Sequence, residues 1–286
     1  MDDAAGGSGK IVYMQVVQET ELKWTALIES LRGPVHSGLV VAFSGGVDSA
    51  CLLFAAVHAA KLHGGRVIAL TTASESTPDR DLADAKSFAA NLGVPHRIVR
   101  STELEDEEYL KNDLNRCFHC KTELFTIAAR VAAEEACAFV AYGYTASDRG
   151  EHRPGHRAAH SAGVISPLEE GGLHKAEIRE ILRANHFELA DKPAAPCLAS
   201  RIRTGIPVTS KRLSDVQSME NTLFAAGLRG HRVRIHDDSL VRVECAPLEM
   251  EKLLTLREVL TEQARLLGYR WTVLDLAGYR TGGAEA

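Results

Sequence analysis

One stretch near the beginning of the chain restricts the fold more than any other. Residues Leu39–Phe43 (LVVAF) form an apolar, partly β-branched run, which predicts a buried strand. Two glycines follow and allow a tight turn, and Val47–Leu62 then continues as an Ala- and Leu-rich segment without Gly or Pro, which predicts a helix. A strand, a glycine turn and a helix start direct backbone N–H groups and the positive end of the helix dipole at an anion. The stretch therefore predicts a phosphate-binding loop.

The side chains of this loop make the prediction more specific. Ser44 and Ser49 supply hydroxyl donors, whereas Asp48 would repel a bare phosphate and therefore indicates a bound Mg²⁺ between protein and ligand. The common nucleotide signatures GxxxxGK[ST] and GxGxxG are absent from the sequence. SGGVDS instead resembles the loop of the PP-loop ATP pyrophosphatases, which split ATP between its α and β phosphates. The resemblance implies that Asp48 takes part in catalysis and that ATP is bound by Ser44, Gly45, Gly46, Asp48 and Ser49.

Strand-like and helix-like segments alternate after the loop. Arg66–Thr72, His96–Val99 and Ala138–Tyr142 predict strands, and a helix is predicted over Asp79–Leu92. Such alternation is typical of an α/β fold with a parallel sheet covered by helices on both faces. Ligands of these sheets bind at the carboxyl ends of the strands. Thr72, at the end of the second strand, is therefore predicted to contact the adenine or ribose of ATP.

The pattern changes after Gly205. Residues 206–286 predict a helix, two strands, a helix over Pro247–Leu267 and a last strand, an αββαβ order that suits a small α+β domain. We expect a larger α/β domain over residues 11–205 and this smaller domain over residues 206–286. The amino terminus, residues 1–10, is small and polar and is expected to be disordered.

The overall charge and composition narrow the range of functions. The net charge of −5 argues against a large nucleic-acid surface, which needs a basic excess. No apolar run reaches transmembrane length and no signal-peptide pattern begins the chain, so we expect a cytoplasmic protein without membrane contact. Cysteines in that compartment serve as packing, metal-binding or catalytic thiols rather than disulfides. The acidic run Glu103–Glu108 (ELEDEE) is interpreted as a solvated face.

Cys117 and Cys120 form a CxxC pair, which alone is compatible with a redox pair, half of a zinc site or half of an iron–sulfur site. The sequence contains no second CxxC pair. A third cysteine would complete a three-thiolate site for a [4Fe–4S] cluster with one open iron, and Cys197 is the best candidate. It lies in a proline-flanked loop with Arg201 and Arg203 nearby to favour its thiolate. The remaining cysteines are interpreted as packing residues: Cys51, Cys137 and Cys245.

Arg232 and Arg234 lie two residues apart on a predicted strand and therefore share a face. They could clamp a phosphate, or they could lie on an exposed face with surface ion pairs, and the spacing alone favours neither interpretation. Glu220 lies in the predicted helix before this strand, and Glu244 lies in the strand after it.

The segment Tyr144–Gly163 is polar and has no period, which predicts a long loop of the kind that covers an active site. Three histidines in it have helical spacing, but Pro154-Gly155 is expected to interrupt any helix there. They are therefore interpreted as incidental residues of a polar loop and not as a metal site. These histidines are His152, His156 and His160.

Longer segments carry a more specific resemblance, and together they run over nearly the whole chain. They are FSGGVDS, NRCFHCKTELF, RPGHRAA, ISPLEEGGLHKAEIR, DKPAAPCLASRI, RVRIHDD and LDLAGYRTGG. With them the chain resembles the LarE family, ATP-dependent sulfur-insertion enzymes that help to build the nickel-pincer nucleotide cofactor of lactate racemase. The resemblance implies a PP-loop domain with a smaller C-terminal α/β domain, assembled as a homo-oligomer for which hexamers are known.

The resemblance also implies a reaction. ATP and Mg²⁺ would adenylate a carboxylate of a pyridinium-3,5-dicarboxylate mononucleotide with release of pyrophosphate, and a sulfur nucleophile would then displace AMP to leave a thiocarboxylate. Two sulfur sources are known in the family. In one, the cysteine of the LASRI segment gives up its own sulfur. In the other, that cysteine and a CxxC pair hold a [4Fe–4S] cluster that carries an extra sulfide from a sulfide donor.

Cys117, Cys120 and Cys197 match the cluster type, so the resemblance implies that they hold the cluster and that Cys197 acts in catalysis. Three alternatives stay open: sacrificial transfer from Cys197, thiolation of tRNA, and a nucleotide-binding regulatory module that senses redox state through its CxxC pair. By the same resemblance, the substrate phosphate is held by Arg232 and Arg234, and the acidic residues near the sulfur site are Glu220 and Glu244.

Overall fold

The amino-terminal part of the chain forms the predicted parallel sheet. Its strands are β1 (Leu39–Ala42), β2 (Val67–Ala73), β3 (His96–Arg100) and β4 (Phe139–Tyr142), in the spatial order β3-β2-β1-β4. β1 pairs in parallel with both β2 and β4, so that Leu39 lies opposite Val67 on one side and Phe139 on the other. This arrangement confirms the predicted α/β class.

The computed structural model describes residues 7–149, 154–193 and 196–279, and the side chains of residues 18–149, 155–193 and 196–279. Its helices are α1 (Gly7–Ser30), α2 (Arg32–His36), α3 (Val47–His63), α4 (Asp79–Leu92), α5 (Glu107–Leu110), α6 (Arg116–Glu134), α7 (Pro154–Ser161), α8 (Pro167–Glu170), α9 (Lys175–Ala184), α10 (Ser210–Ala225), α11 (Met250–Thr255) and α12 (Arg257–Leu267). α4 has the predicted bounds, whereas α1 begins at Gly7, inside the segment expected to be disordered. Among these helices of the described residues, none is long and apolar enough to cross a membrane.

The chain divides into two compact units whose segments alternate along the sequence. The first unit contains Met1–Thr72, Asp81–Val99 and Leu124–Ala194. The second unit contains Ala73–Arg80, Arg100–Glu123 and Ala195–Ala286. The sequence predicts two separately folding domains, over residues 11–205 and 206–286. These domain limits stay a prediction, because the two compact units are defined by contacts and not by independent folding.

The sheet of the first unit is buried on both faces, which is why β1 is apolar throughout. Val41 and Phe43 pack on one face together with Leu52 of α3. Val40, which lies between them in sequence, packs on the opposite face with Ile68 of β2. This alternation follows from the period of two along a strand, and it places the end of β1 and the start of α3 at one edge of a rigid core.

The second unit contains a smaller sheet. Its strands are β5 (Arg232–Ile235), β6 (Leu240–Glu244) and β7 (Trp271–Leu274) in the order β5-β6-β7. β5 and β6 are antiparallel, β6 and β7 are parallel, and Val216 of α10 shares a buried core with Val233 of β5. The predicted αββαβ order is confirmed, except that the helix predicted over Pro247–Leu267 is divided into α11 and α12.

Pro154-Gly155 begins a helix instead of interrupting one. Proline is the first residue of α7, a position at which its missing N–H is not needed. His156 and His160 therefore lie one turn apart, and His156 stacks on Tyr144 with 3.9 Å between ring centroids. The prediction of an uninterrupted loop is wrong for this part of the chain, and His152 lies outside the described residues.

Candidate active site

The loop Ser44–Ser49 joins β1 to α3 and is held by its own serines. Ser49 Oγ donates a hydrogen bond to the Gly46 carbonyl oxygen (3.0 Å) and lies 3.2 Å from Ser44 Oγ. The Ser44 N–H donates to the Ser49 hydroxyl (3.3 Å). α3 begins directly after Gly46, which has no side chain with which to cap the first N–H groups. The loop therefore presents the N-terminus of α3 in the form that suits a phosphate.

Glycine is required at position 45 because other backbone atoms come close. Gly45 has a φ of +73°, and a Cβ atom there would lie 2.6 Å from the carbonyl oxygen of Asp81. A Cβ atom on Gly143, the residue after β4, would lie 2.9 Å from the Ser49 nitrogen. Backbone atoms of two other segments therefore lie against the loop. Glycine is needed at position 45 because a side chain would clash there and because the positive φ favours glycine.

Lys192 is a functional candidate that sequence reasoning missed. Its ammonium group donates to the Gly45 carbonyl oxygen (3.0 Å) and to Asp84 (2.6 Å), and it pairs with Asp81 at 2.8 Å. The side chain is 15% exposed, so these contacts are partly shielded from water and hold the loop against α4. In the sequence Lys192 is one residue of the DKPAAPC segment, and 147 positions separate it from Gly45. Nothing nearby in the sequence therefore indicates its contact with the loop.

The end of β2 supports the loop through Thr71 rather than through the predicted Thr72. Thr71 Oγ donates to the Phe43 carbonyl oxygen (2.6 Å) and lies 2.8 Å from His96 Nε2. Since the threonine proton is used on Phe43, His96 must donate from Nε2, and burial lowers the pKa of His96 and keeps the ring neutral. Thr72 is half-buried and faces the other side of the strand. Its contact with ATP stays a prediction, as does the Mg²⁺ role of the half-buried Asp48.

The three predicted cluster ligands all lie in the second unit. Cys117 and Cys120 occupy the beginning of α6, and Cys197 directly precedes a 3-10 turn at Leu198–Arg201. Cys117 is exposed, whereas Cys120 and Cys197 are half-buried. The fold therefore brings thiols from two distant segments of the sequence into one unit.

Arg116 lies beside two of these cysteines. Its guanidinium group donates to the Ala199 carbonyl oxygen (3.0 Å), and its Nη2 lies 3.9 Å from Cys117 Sγ. Burial alone would lower the pKa of Arg116, but negative charge on Cys197 and Cys117 raises it, and the net change is upward. Arg116 therefore places a positive charge beside the thiols of the candidate cluster site.

The acidic run that was predicted to be solvated contains a buried carboxylate. Glu103 is 5% exposed and accepts hydrogen bonds from the hydroxyls of Ser74 (2.5 Å) and Ser76. The prediction is wrong for this residue because the two serines replace the water that the carboxylate loses. Burial, together with the charge of Glu103, holds the pKa of the Cys120 thiol well above its usual value. Tyr109, buried near the same carboxylate, was also missed from the sequence.

The three cysteines are of the chemical type that binds iron–sulfur clusters. Within the described residues, no three His, Cys, Asp or Glu side chains lie close enough together to bind a single metal ion. A four-iron cluster is larger than one ion and spaces its thiolate ligands more widely. The unit supplies three cysteines with Arg116 beside two of them, and positive metal charge would also favour the thiolate of Cys120. Cys117, Cys120 and Cys197 could therefore hold a [4Fe–4S] cluster.

One buried arginine–glutamate pair contacts Cys197, and a second, on β5 and β6, contacts the nearby Ser200. Arg201 donates to the two oxygens of Glu220 (3.0 and 3.3 Å) and to the Cys197 carbonyl oxygen (3.0 Å). Arg234 of β5 donates in the same bidentate way to Glu244 of β6 (2.8 and 3.1 Å). The predicted acidic residues Glu220 and Glu244 are therefore neutralised by arginines, and Glu220 acts on the cysteine segment through Arg201.

Burial decides between the two interpretations of β5. Arg232 and Arg234 are 8% and 5% exposed, so the interpretation as an exposed face with surface ion pairs is wrong. Arg232 donates to the His231 carbonyl oxygen (2.6 Å) and lies over the ring of Tyr279. Burial and the nearby cation Arg201 lower the pKa of Arg232. A bound anion would offset this repulsion, while the phosphate role itself stays a prediction.

Comparisons with known proteins involve both the loop and the whole chain. The sequence model of the NAD synthase family matches residues 23–122. An uncharacterised protein of Synechocystis is 34% identical over 261 residues, which cover 89% of this chain and 95% of that protein. A pyridinium-3,5-bisthiocarboxylic acid mononucleotide synthase of Lactiplantibacillus plantarum is 29% identical, over 85% of this chain and 87% of the synthase. An NH₃-dependent NAD⁺ synthetase of Pyrobaculum aerophilum is 30% identical over 56% of this chain and 61% of the synthetase.

The share of the chain that each similarity covers distinguishes membership of a family from membership of its wider superfamily. The likeness to NAD synthases covers the region around the SGGVDS loop, which is the part that PP-loop enzymes have in common. The similarities to the Synechocystis and L. plantarum proteins run over nearly the whole chain, including the segment around Cys197. The chain therefore belongs to the LarE family of the PP-loop superfamily, whose enzymes use ATP and produce AMP and pyrophosphate.

Proposed function

We propose that the protein is an ATP-dependent sulfur transferase that converts a carboxylate of pyridinium-3,5-dicarboxylate mononucleotide into a thiocarboxylate. One observation carries the proposal: Cys117, Cys120 and Cys197 lie in one unit of a chain that also contains the SGGVDS loop. The name of the L. plantarum relative, a synthase of the bisthiocarboxylic acid mononucleotide, supports the choice of substrate.

The loop of the first unit supports activation of the carboxylate. A carboxylate oxygen attacks the α-phosphorus of ATP, the bond to pyrophosphate breaks, and an acyl-adenylate forms. The N–H groups at the start of α3 and the hydroxyls of Ser44 and Ser49 suit the phosphates. Asp48 would hold Mg²⁺, whose charge offsets that of the departing pyrophosphate. Lys192 fixes the backbone of the loop through the Gly45 carbonyl.

The cysteines of the second unit support sulfur delivery. A sulfur nucleophile attacks the carbonyl carbon of the acyl-adenylate, the bond to AMP breaks, and a thiocarboxylate forms. Cys117, Cys120 and Cys197 would hold the [4Fe–4S] cluster, which when bound offers an open iron for an additional sulfide. Arg201 keeps the backbone of Cys197 in place through its carbonyl oxygen.

The arginines of β5 support recognition of the mononucleotide phosphate. Arg234 has a fixed orientation because both oxygens of Glu244 hold its guanidinium group. Arg232 lies near the cations Arg201 and Arg234, so a phosphate beside it would relieve repulsion. We therefore assign the principal phosphate contact to Arg232 and a supporting contact to Arg234.

Membership of the LarE family supports the wider context of the reaction. In this proposal the thiocarboxylate becomes part of the nickel-pincer cofactor of lactate racemase, and an external sulfide donor restores the sulfur that is transferred. A homo-oligomer, with a hexamer as one form, and a cytoplasmic location belong to the same proposal.

Substrate-dependent release of pyrophosphate tests the proposed function. Anaerobic protein with ATP and Mg²⁺ is expected to form AMP and pyrophosphate only when the pyridinium mononucleotide is present, and thiocarboxylate when sulfide is also supplied. Asp48→Asn is expected to abolish AMP formation, because the carboxylate that holds Mg²⁺ is lost. Cys117→Ala is expected to retain adenylation and to lose thiocarboxylate. Unchanged adenylation in Asp48→Asn would contradict the Mg²⁺ role.

The same assay separates the alternatives. Salt-resistant tRNA binding, with pyrophosphate release that depends on tRNA, would favour tRNA thiolation instead. An amide product that requires ammonia would favour a reaction of the NAD⁺ synthetase type. Nucleotide binding without any pyrophosphate release would favour a regulatory module.

A further inference from the structure

The strand β7 lies at one edge of the smaller sheet. β6 pairs with one side of it, and no strand among the described residues pairs with the other side. The Trp271 N–H donates to the Ser239 carbonyl oxygen (2.8 Å) and therefore points to β6. Asp275, four residues on, donates in the same direction to Val243 (2.9 Å). Since successive residues of a strand direct their backbone groups to opposite edges, those of Thr272 point away from β6 and can pair with a further strand.

β7 also exposes apolar side chains on one face of the sheet. Trp271 is 53% exposed and Val273 is 38% exposed, and the two lie on the same face because they are two residues apart. Leu274, on the opposite face, packs against the buried core of the unit. A single exposed apolar residue needs no explanation, but here two of them lie at a backbone edge that is open within the described part of the chain. Backbone and side chains of β7 therefore both favour a partner strand.

One antiparallel register between two copies of β7 pairs both exposed apolar side chains with apolar ones. Residues that direct their backbone groups to the shared edge form the hydrogen-bonded pairs, so Thr272 has to oppose such a residue. When Thr272 opposes the partner's Thr272, Trp271 lies opposite the partner's Val273, and the reverse pair forms as well. A shift by two residues in one direction places Trp271 opposite the partner's Asp275. The shift in the other direction places Val273 opposite the partner's Tyr269, whose side chain is buried in its own unit.

This register is self-complementary. A two-fold axis at Thr272 generates it, so each pair forms twice and the contact closes after two copies. A pair of Trp271 and the partner's Val273 joins an aromatic with a β-branched side chain, which is a favourable cross-strand combination. The pair also occupies non-hydrogen-bonded positions, at which side chains approach most closely. A second copy of the chain therefore fits this edge, because the chain itself supplies the complementary residues.

We propose that two copies of the chain associate through antiparallel pairing of their β7 strands about a two-fold axis at Thr272, which joins the two smaller sheets into one continuous sheet. The inference rests on the proposed function only for the homo-oligomer, and it names the surface by which two subunits join. In a hexamer the same contact would join the subunits in pairs.

Thr272→Pro tests the backbone part of the proposal by sedimentation equilibrium. Proline removes only an N–H that points away from β6, and it is tolerated on an edge strand, so the subunit should still fold. The wild type is expected to form an assembly with an even number of subunits, and Thr272→Pro is expected to have half of that mass at the same concentration. A wild type with an odd number of subunits, or a Thr272→Pro variant with the wild-type mass, would overturn the proposal.

Trp271→Lys tests the side chains and the register. Two cross-strand pairs are lost in each contact, so the Kd of the assembly is expected to rise about thirtyfold. Addition of Val273→Glu to Trp271→Lys would place opposite charges across the two-fold axis and should lower the Kd again, whereas Val273→Glu alone should raise it. A double variant that associates no more tightly than Trp271→Lys would overturn the register.

Val259→Lys is the matched control in the same unit. Val259 is 54% exposed, nearly as much as Trp271. It lies one helical turn from Gln263, whose amide donates to Ser218 of α10 (3.0 Å), so it is on the side of α12 that faces α10. The Kd of Val259→Lys is expected to equal that of the wild type. An equal rise in Val259→Lys and Trp271→Lys would overturn the assignment of the contact to β7.

Association is measured without ATP and mononucleotide, which separates this inference from the proposed function. An even-numbered assembly that depends on β7, in a protein that makes no thiocarboxylate, would leave the inference standing and refute the function. Thiocarboxylate formation by a wild-type monomer would do the opposite. A wild-type monomer whose melting temperature falls in Trp271→Lys but not in Val259→Lys would also overturn the inference, since a segment of the same chain would then cover the edge.

Discussion

The two units hold their site residues by different kinds of contact. In the first unit the loop lies against backbone atoms, with the Asp81 carbonyl beside Gly45 and the Ser49 nitrogen beside Gly143. In the second unit the segment of Cys197 is held by buried charged side chains, of which Arg201 is an example. We therefore expect the loop to be most sensitive to added atoms and less sensitive to loss of the Lys192 charge, whereas the cysteine site should be most sensitive to removed charges.

The largest effect is expected in the second unit, from Glu220→Ala. This change leaves Arg201 buried without its bidentate partner, and such a loss typically costs about 4 kcal/mol in the free energy of unfolding. Because Arg201 also holds the Cys197 carbonyl, iron content should fall as well. Urea unfolding and iron analysis measure the two effects. Glu262→Ala, which removes an exposed partner of Arg265, should change neither, and equal effects of both variants would contradict the comparison.

The next effect is expected in the loop, from Gly45→Ala. The added methyl group would meet the Asp81 carbonyl oxygen in a left-handed conformation, so we expect a loss of about 3 kcal/mol in the free energy of unfolding. AMP formation should be lost at temperatures at which the variant is still folded. Gly64 is a matched control, because its φ is also +73° but no atom lies within 4 Å of its Cβ position. Because Gly64 combines this φ with a ψ of 155°, a conformation that residues other than glycine rarely adopt, Gly64→Ala should cost about 2 kcal/mol and leave AMP formation intact. Similar behaviour of the two variants would show that conformation, and not the close backbone, restricts the loop.

A smaller effect is expected from Lys192→Met, which removes a charged side chain that contacts the loop of the first unit. Loss of the contacts with Gly45, Asp81 and Asp84 should cost about 2 kcal/mol and raise the KM for ATP several-fold, because the loop backbone is no longer held. Lys23→Met is the control in the same unit, since Lys23 also pairs with two acids. It should lose stability without a change in the KM for ATP. A Lys192→Met variant with an unchanged KM for ATP would exclude a role in positioning the loop.

The parts of the site that were predicted from sequence are those encoded locally. The SGGVDS loop contains its own strand end, glycine turn and helix start, so β1, the loop and α3 were predicted together. Lys192 was missed because its contact with Gly45 depends on the path of the whole first unit. The sequence pattern predicted Thr72 and not its neighbour Thr71 as the functional residue. Which of the two faces the Phe43 carbonyl depends on how β2 pairs with β1, and the sequence near them does not show that pairing.

Charged residues show the same limit in the second unit. Glu103 was predicted to be solvated because it belongs to the acidic run ELEDEE. The two serines that replace its water are distant in sequence, so the run itself does not indicate its burial. The arginines of β5 were recognised from their spacing, but their burial was decided by Glu244 across the sheet. Pro154 shows a local error instead, because proline begins a helix as readily as it interrupts one.

The source of the transferred sulfur tests the central claim most directly. Anaerobically purified protein is supplied with ATP, Mg²⁺, the pyridinium mononucleotide and excess sulfide, and thiocarboxylate is counted per chain while mass spectrometry follows Cys197. The account predicts bound iron and labile sulfide before the reaction, several product molecules per chain, and an unchanged mass of Cys197. A single product molecule per chain, with Cys197 lighter by the mass of hydrogen sulfide, would contradict it.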